Sequence, residues 1–206
     1  MIQPTPGVAF TWVDDGDIRA DASARARVSS ALGIDAEWAT AEQVHGSVVQ
    51  VVAGPGPAGA GDGVVTACRR LPVAVFTADC FGVVVVGRGV VGVAHAGWRG
   101  LAAGVVEETV GACRRLDDGP LVARIGPGIG PCCFEVGADV TALLVDSLAE
   151  TTWGAPSVDL AAAAKARLVA QGVPAESETR CTACGGGLSH RRDGTSQRMA
   201  SVGWLP

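Results

Sequence analysis

Two histidines and a cysteine stand where apolar runs give way to small or polar residues. His45 falls within Gln43-Val44-His45-Gly46, Cys80 follows Asp79 just after the run Val73–Phe76, and His95 follows Val90–Ala94. Imidazole nitrogens and a thiolate are donors that zinc prefers. Three protein ligands leave a fourth position for water or substrate, as catalytic zinc sites do. No ligand pair of the Cys-x-x-Cys or His-Glu-x-x-His kind joins these three residues, so spacing alone leaves their meeting in space open. Cys80 and His95 also suit a metal-free chemistry, a thiolate–imidazolium pair acting as nucleophile. The plain alternative for Cys80 is an inert thiol packed like a small apolar residue. Asp79 speaks against it, because an acid in so apolar a setting needs a backbone amide or a histidine N–H as partner.

Other residues offer contacts to an anion. Ala96-Gly97-Trp98-Arg99-Gly100 leads into a helical stretch, and closely spaced amides beside a guanidinium make a seat for phosphate or carboxylate. The alternative there is a tight strand-to-helix turn with Arg99 in solvent. Arg191, Arg192 and Arg198 lie near one turn and suit an anionic substrate, unless they are ordinary surface charge. Cys181-Thr182-Ala183-Cys184 has metal-ligand spacing, and with Cys132-Cys133 it could complete a site of four thiolates. Adjacency of Cys132 and Cys133 disfavours that arrangement.

The elements that must position these groups follow from pattern. Val8–Val13 reads as a strand, and Ala22–Leu32 as a helix with Asp21 as N-cap and Gly33 closing it. Val48–Val52 is a short strand, and residues 53–63, rich in Gly and Pro, read as a loop ending near Asp62. The runs around Asp79 and before His95 are buried strands. Ala102–Leu116 reads as a helix, Val122–Ile125 as a strand, and Ala138–Leu148 and Leu160–Gln171 as helices. Cys181-Thr182 and Met199–Leu205 read as strands on either side of turn residues Ser189–Gly194.

With 206 residues, 48% hydrophobic and 18% charged, the chain is expected to be one α/β (mixed α+β) domain over 1–206. A net charge of −5, 4% aromatics and no Tyr leave little for nucleic acid to bind. No apolar stretch reaches the roughly 18 residues of a membrane span, and MIQPTPGVAFTW lacks the pattern of a signal peptide. The expected location is cytoplasmic, with no membrane partner and a monomeric or dimeric state left open. Seven cysteines then point to free thiols, ligands or a nucleophile rather than a disulfide framework.

Together, QVHG, TADCFGVVVV, VGVAHAGWRGLAAGVVE, IGPGIGPCCFEVG and SHRRDGTSQRMASV, in this order from about Glu42 to Leu205, resemble the YfiH family. Its members go by laccase-domain protein, multicopper polyphenol oxidase, purine nucleoside phosphorylase and peptidoglycan-editing factor. The resemblance implies one domain of mixed sheets with outer helices, distantly like the cytotoxic necrotizing factor deamidases. It implies a metal on His45, Cys80 and His95, zinc by preference, with copper invoked for oxidase activity. The activity it implies is phosphorolysis of adenosine or inosine, extended to S-methyl-5′-thioadenosine and to adenosine deamination. Nucleoside and phosphate are the expected small-molecule partners, with Arg99, Asp62, Arg191 and Arg192 as candidate contacts. A Cys80/His95 amidase editing peptidoglycan precursors and a copper-dependent polyphenol oxidase are the alternatives. The chain departs from the family pattern at Gly61-Asp62-Gly63-Val64, where only the acid is retained, at His190, where an aromatic is usual, and at Thr195-Ser196-Gln197-Arg198.

Overall fold

Side chains alternate between the two faces of a strand, so uncharged runs such as 73–77 and 81–86 must be covered on both sides. The computed structural model describes residues 1–206 and shows how this is done. β1 (Ile2–Thr5) and β2 (Val8–Phe10) form a hairpin. α1 (Ala22–Leu32) starts where the Asp21 side chain accepts the Ser23 N–H, and it ends at Gly33 in left-handed backbone, the cap pair the sequence predicts. Then come β3 (Ala39–Glu42), β4 (Val49–Val51), β5 (Gly56–Ala60) and β6 (Gly63–Thr66). The three central strands are β7 (Val73–Thr77), β8 (Phe81–Val86) and β9 (Val91–Ala96). α2 (Trp98–Ala103), α3 (Val105–Leu116), β10 (Val122–Ile125) and α4 (Ala138–Thr141) follow. The rest of the chain forms β11 (Leu148–Glu150), β12 (Pro156–Val158), α5 (Leu160–Ala170), β13 (Ala175–Ser177), α6 (His190–Asp193) and β14 (Met199–Gly203).

Two mixed six-stranded sheets result, in the orders β1-β2-β14-β7-β3-β5 and β13-β10-β8-β9-β6-β4. Their inner faces meet through Val73 and Val75 on one side and Val84, Val91 and Val93 on the other. The approach is close: a Cβ at Gly203 would sit 2.6 Å from Val91 and 2.9 Å from Val84. Ala74 and Phe76 point outward from β7 onto Ala24 and Val28 of α1. Val83 and Val85 point outward from β8 among residues of α3 and α5, including Val106, Val110, Ala164 and Leu168. The fold is thus mixed α/β, with helices outside two facing sheets. No helix is long and apolar enough to cross a membrane.

Several elements differ from their predicted form. The Gly/Pro-rich loop contains β5, which pairs in parallel with β3 through Ala39↔Gly56 and Thr40↔Pro57. An edge strand needs only its backbone for that, and tolerates Gly and Pro. The predicted helix 102–116 breaks at Gly104, whose φ of 88° ends α2 and starts α3. Ala138–Leu148 is α-helical only to Thr141, with a 3₁₀ turn at Val145–Ser147 before Leu148–Glu150 pair with β12. The first strand stops at Phe10, ahead of a 3₁₀ turn at Val13–Asp15. Cys181 makes only an isolated bridge to Gly128. Residues 190–193 make one helical turn, capped by Ser189.

Candidate active site

His45, Cys80 and His95 arrive from three places at one end of the facing sheets. The turn after β3 carries His45, the turn between β7 and β8 carries Cys80, and β9 itself carries His95. One donor atom from each lies within 4.8 Å of the others. The two imidazoles meet edge to face, with ring centroids 4.9 Å apart.

Asp62 organises this group. It is fully buried, and its carboxylate accepts the backbone N–H groups of Val44 (3.2 Å), His45 (2.9 Å) and Gly46 (2.7 Å). Three amides converging on one anion form a preorganised nest, which fixes the turn that carries His45. His45 itself has φ 62°, a conformation a non-glycine residue holds only when its surroundings enforce it. The same carboxylate lies 2.8 Å from Nδ1 of His95. A proton held there leaves Nε2 as the free electron pair. Burial raises the Asp62 pKa, but the His95 bond and the Gly46 amide outweigh it and hold the carboxyl below the usual range. Asp62 therefore stands behind the histidine as a positioning group, rather than on the substrate as the sequence suggests.

Asp79 has the partners its apolar setting demands. Its carboxylate accepts the Thr182 hydroxyl at 2.7 Å and the Arg191 N–H at 2.6 Å, while its carbonyl accepts the Ile129 N–H at 2.7 Å. A φ of 96° marks Asp79 as strained, and these bonds compensate. They tie the Cys80 turn to the loop 126–133 and to the chain ahead of β14. Gln43 clamps the other side, its side chain both donating to and accepting from the backbone of Phe76 at 2.8 Å. Gly97 lines the same corner: a Cβ there would lie 2.9 Å from Cys80 Sγ and 3.6 Å from His45 Cδ2.

Burial works against charge on both Cys80 and His95, and their mutual contacts reverse it. Burial raises the Cys80 thiol, but hydrogen bonds from His45 and His95 bring it down to about 6. Burial lowers His95, but Asp62 and Cys80 bring it up to about 9. Without a metal, the pair is a thiolate beside an imidazolium at neutral pH. A bound cation would take the place of the proton shared by the pair, and two imidazoles with one thiolate are a donor set that fits zinc.

The trio opens on a cavity of 690 Å³ that also takes in Asp79, Phe76, Phe134 and His190. Arg19, Arg25, Arg191 and Arg198 line it. Arg191 faces this cavity as expected, its guanidinium 5.0 Å above the Phe134 ring and donating to the Glu135 carbonyl. Arg99 does not: it is exposed, stacked 4.2 Å over Trp98, and α2 is only six residues long. Arg192 is also outside the lining, donating to the carbonyls of Thr182, Ala183 and Gly187. Arg19 and Arg25 carry no sequence signal, since both sit around the start of a surface helix. Arg25 lies 5.7 Å from the Trp38 ring and 5.8 Å from Phe76, and it donates to the Ile18 carbonyl.

Comparisons with known proteins bear on this geometry. A family model described as multi-copper polyphenol oxidoreductase laccase matches residues 11–206. A purine nucleoside phosphorylase of Streptomyces griseus is 41% identical over 196 residues, covering 88% of this chain and 80% of its own. Another purine nucleoside phosphorylase, from Streptomyces coelicolor, is 39% identical and covers 93% and 84%. The crystal structure of the Bacillus licheniformis hypothetical protein YfiH superposes with a TM-score of 0.87 at 26% identity, over 97% of this chain and 92% of that one.

Proposed function

The chain belongs to the multi-copper polyphenol oxidoreductase laccase family, and from that premise we propose that it is a zinc-dependent purine nucleoside phosphorylase. Its relatives named as purine nucleoside phosphorylases support an enzyme of that kind. One observation carries the reading: the His45, Cys80 and His95 donors converge at the mouth of a cavity lined by four arginines. Residues 1–206 act as one domain, in the cytoplasm, as monomer or dimer.

His45 Nε2 or Nδ1, Cys80 Sγ and His95 Nε2 would hold the metal, and zinc bound there would supply Lewis-acid polarisation of a substrate oxygen. Asp62 keeps the His95 proton on Nδ1 and the ring in orientation. The arginine wall concentrates phosphate and holds it for attack, as preorganised cations do for transferring phosphoryl oxygens. A phosphate oxygen bonds to C1′ of the ribose while the C1′–N9 bond breaks, its electron pair leaving with the purine, which takes up the proton that hydrogen phosphate gives up. Adenosine and inosine are the substrates, with S-methyl-5′-thioadenosine as a third and adenosine deamination as a side activity. Zinc-loaded protein given inosine and phosphate should yield ribose 1-phosphate and hypoxanthine. Absence of both products, or undiminished turnover in Cys80→Ala and His95→Ala, sinks the reading.

A second reading rests on the line Asp62–His95–Cys80, which orders acid, base and thiol as nucleophilic hydrolases do. In that case an amidase acting on peptidoglycan precursors works in excess chelator and dies on thiol alkylation. Multicopper phenol oxidation is poorly served by the donors. It needs several coppers and many imidazoles, whereas the chain has three histidines, and His190 has Nδ1 3.3 Å from the Thr195 carbonyl.

A further inference from the structure

Four of the seven cysteines take no part in the chemistry above. Cys132 and Cys133 sit in the turn after β10, and Cys181 and Cys184 lie on the chain between β13 and α6. All four sulfurs come within 4.8 Å of one another. The bridge Gly128↔Cys181, in which the Thr182 N–H donates to the Gly128 carbonyl at 2.9 Å, lays the two segments side by side. Adjacency of Cys132 and Cys133 therefore does not keep the thiols apart, contrary to the expectation from sequence.

The spacing is that of co-ligands. Cys132 Sγ and Cys184 Sγ are 3.7 Å apart. Zinc–sulfur bonds of about 2.3 Å in a tetrahedron set neighbouring sulfurs about 3.8 Å apart, whereas a disulfide holds them at about 2.05 Å. The backbone is shaped for the purpose too. The Gly130 N–H donates to Cys181 Sγ at 3.2 Å, which favours a thiolate there. After Cys184 the chain turns so tightly that a Cβ on Gly185 would lie 2.4 Å from the Cys181 carbonyl oxygen, which accepts the Gly185 N–H at 2.8 Å. Across the site, the Ser157 hydroxyl donates to the carbonyls of Pro131 and Phe134, and the Thr152 N–H to that of Cys132. Both turns are thus braced independently of any ion.

We propose that Cys132, Cys133, Cys181 and Cys184 form a second metal site, structural in role, for a thiophilic divalent cation such as zinc. It has no open position for substrate. Its task is to staple the loop 126–134 to the segment 181–192, the two stretches that bring Phe134, His190 and Arg191 to the cavity. Each thiol that ligates gives up its proton to solvent. Burial and the Cys184 and Cys181 thiols push Cys133 up to about 11, while the Cys184, Gly130 and Ala183 amides outweigh burial to bring Cys181 down to about 7.

Elemental analysis of wild type, Cys80→Ala, Cys184→Ser and the double variant, each purified under reducing conditions and reconstituted with zinc alone, tests this. Wild type should hold two equivalents, each single variant one, and the double variant none. The Cys80→Ala protein should show sulfur-to-cobalt charge-transfer bands when loaded with Co²⁺, and adding Cys184→Ser to it should abolish them. Cys184 is exposed, so its serine variant should retain the wild-type far-ultraviolet circular dichroism. If it does not, thiol labelling of folded Cys80→Ala protein decides, with zinc expected to protect all four cysteines. Unchanged zinc content in Cys184→Ser, labelling indifferent to zinc, or a Cys132–Cys184 disulfide in anaerobically purified protein overturns the proposal. A wild type that holds a single equivalent, unchanged in Cys80→Ala and lost in Cys184→Ser, would count against the proposed function and leave this site standing.

Discussion

Gly97→Ala separates metal binding from folding at the trio. The backbone there has φ −82° and ψ 170°, which alanine adopts without strain, so in the folded state the change acts only through the new methyl group. That methyl would lie 2.9 Å from Cys80 Sγ. Ordinary contact is about 3.5–4.0 Å, so the sulfur must retreat by roughly 0.6–1 Å. In metal-free protein the cysteine side chain does this by rotating about χ1, giving up part of its bonding to His45 and His95. The lower unfolded-state entropy of alanine adds about 0.4–1 kcal/mol and offsets that loss, so metal-free Gly97→Ala should melt close to wild type. With zinc bound the sulfur has no such freedom, because metal–ligand distances hold to within about 0.2 Å. Misplacing a ligand by this much should weaken zinc at least as much as losing an outer-shell partner, about 10–100-fold or roughly 1.4–2.8 kcal/mol. Competition with a chromophoric zinc chelator reads the affinity, and thermal melts with and without EDTA read the two stabilities. Wild-type zinc affinity in Gly97→Ala would show that Cys80 Sγ is not a ligand held in this corner.

Asp62→Asn should lower zinc affinity about 10–100-fold and cost about 1–3 kcal/mol of stability, since an amide cannot accept both the histidine proton and the three backbone N–H groups; chelator competition and urea melts measure the two. Arg19→Ala or Arg198→Ala should raise the KM for phosphate, whereas Arg99→Ala should leave both kcat and KM as they were, because Arg99 lies outside the cavity. In metal-free protein, alkylation of Cys80 by iodoacetamide should follow the thiolate and switch on as pH rises through about 6 rather than through its ordinary value of 9.0. Over the same range the two shifts oppose one another. The lowered Cys80 pKa adds stability as pH rises from about 6 to 9.0, and the raised His95 pKa removes it between 6.5 and about 9. Their joint contribution is therefore level from about pH 6.5 to 9; a steep slope in metal-free melts across that interval would count against the pairing.

What could be read from the sequence was whatever a side chain advertises locally. Asp21 and Gly33 bracket α1 because capping is a property of single residues, and the valine runs of β8 and β9 announce burial by their lack of charge. The trio could be named from donor chemistry and motif, but not its geometry, since His45 depends on the bonds that Asp62 makes from another loop. β5 went unseen because its pairing uses only backbone, and Gly-Pro-Ala-Gly-Ala carries no alternation to read. Arg19 and Arg25 were invisible for a different reason. They reach the cavity through the docking of α1 on Phe76 and Trp38, a tertiary event with no local mark. Arg99 misled because a helix start with a guanidinium looks like an anion seat until its stacking on Trp98 is seen.

The position of β14 bears on the order in which this protein can be assembled during synthesis. Met199–Gly203 is interior to its sheet, with Ser201 opposite Phe10 of β2 and Val75 of β7. A nascent chain that has already released His45, Cys80 and His95 from the ribosome still lacks this strand, along with Arg191 and Arg198 just ahead of it. Until they emerge, β2 and β7 face one another across a gap with unpaired edges, open to misassociation. The growing polypeptide thus gains His45, Cys80 and His95 before the arginine wall, begun by Arg19 and Arg25, is complete. Closure of the sheet and completion of the arginine wall then fall together, at the end of translation of these residues.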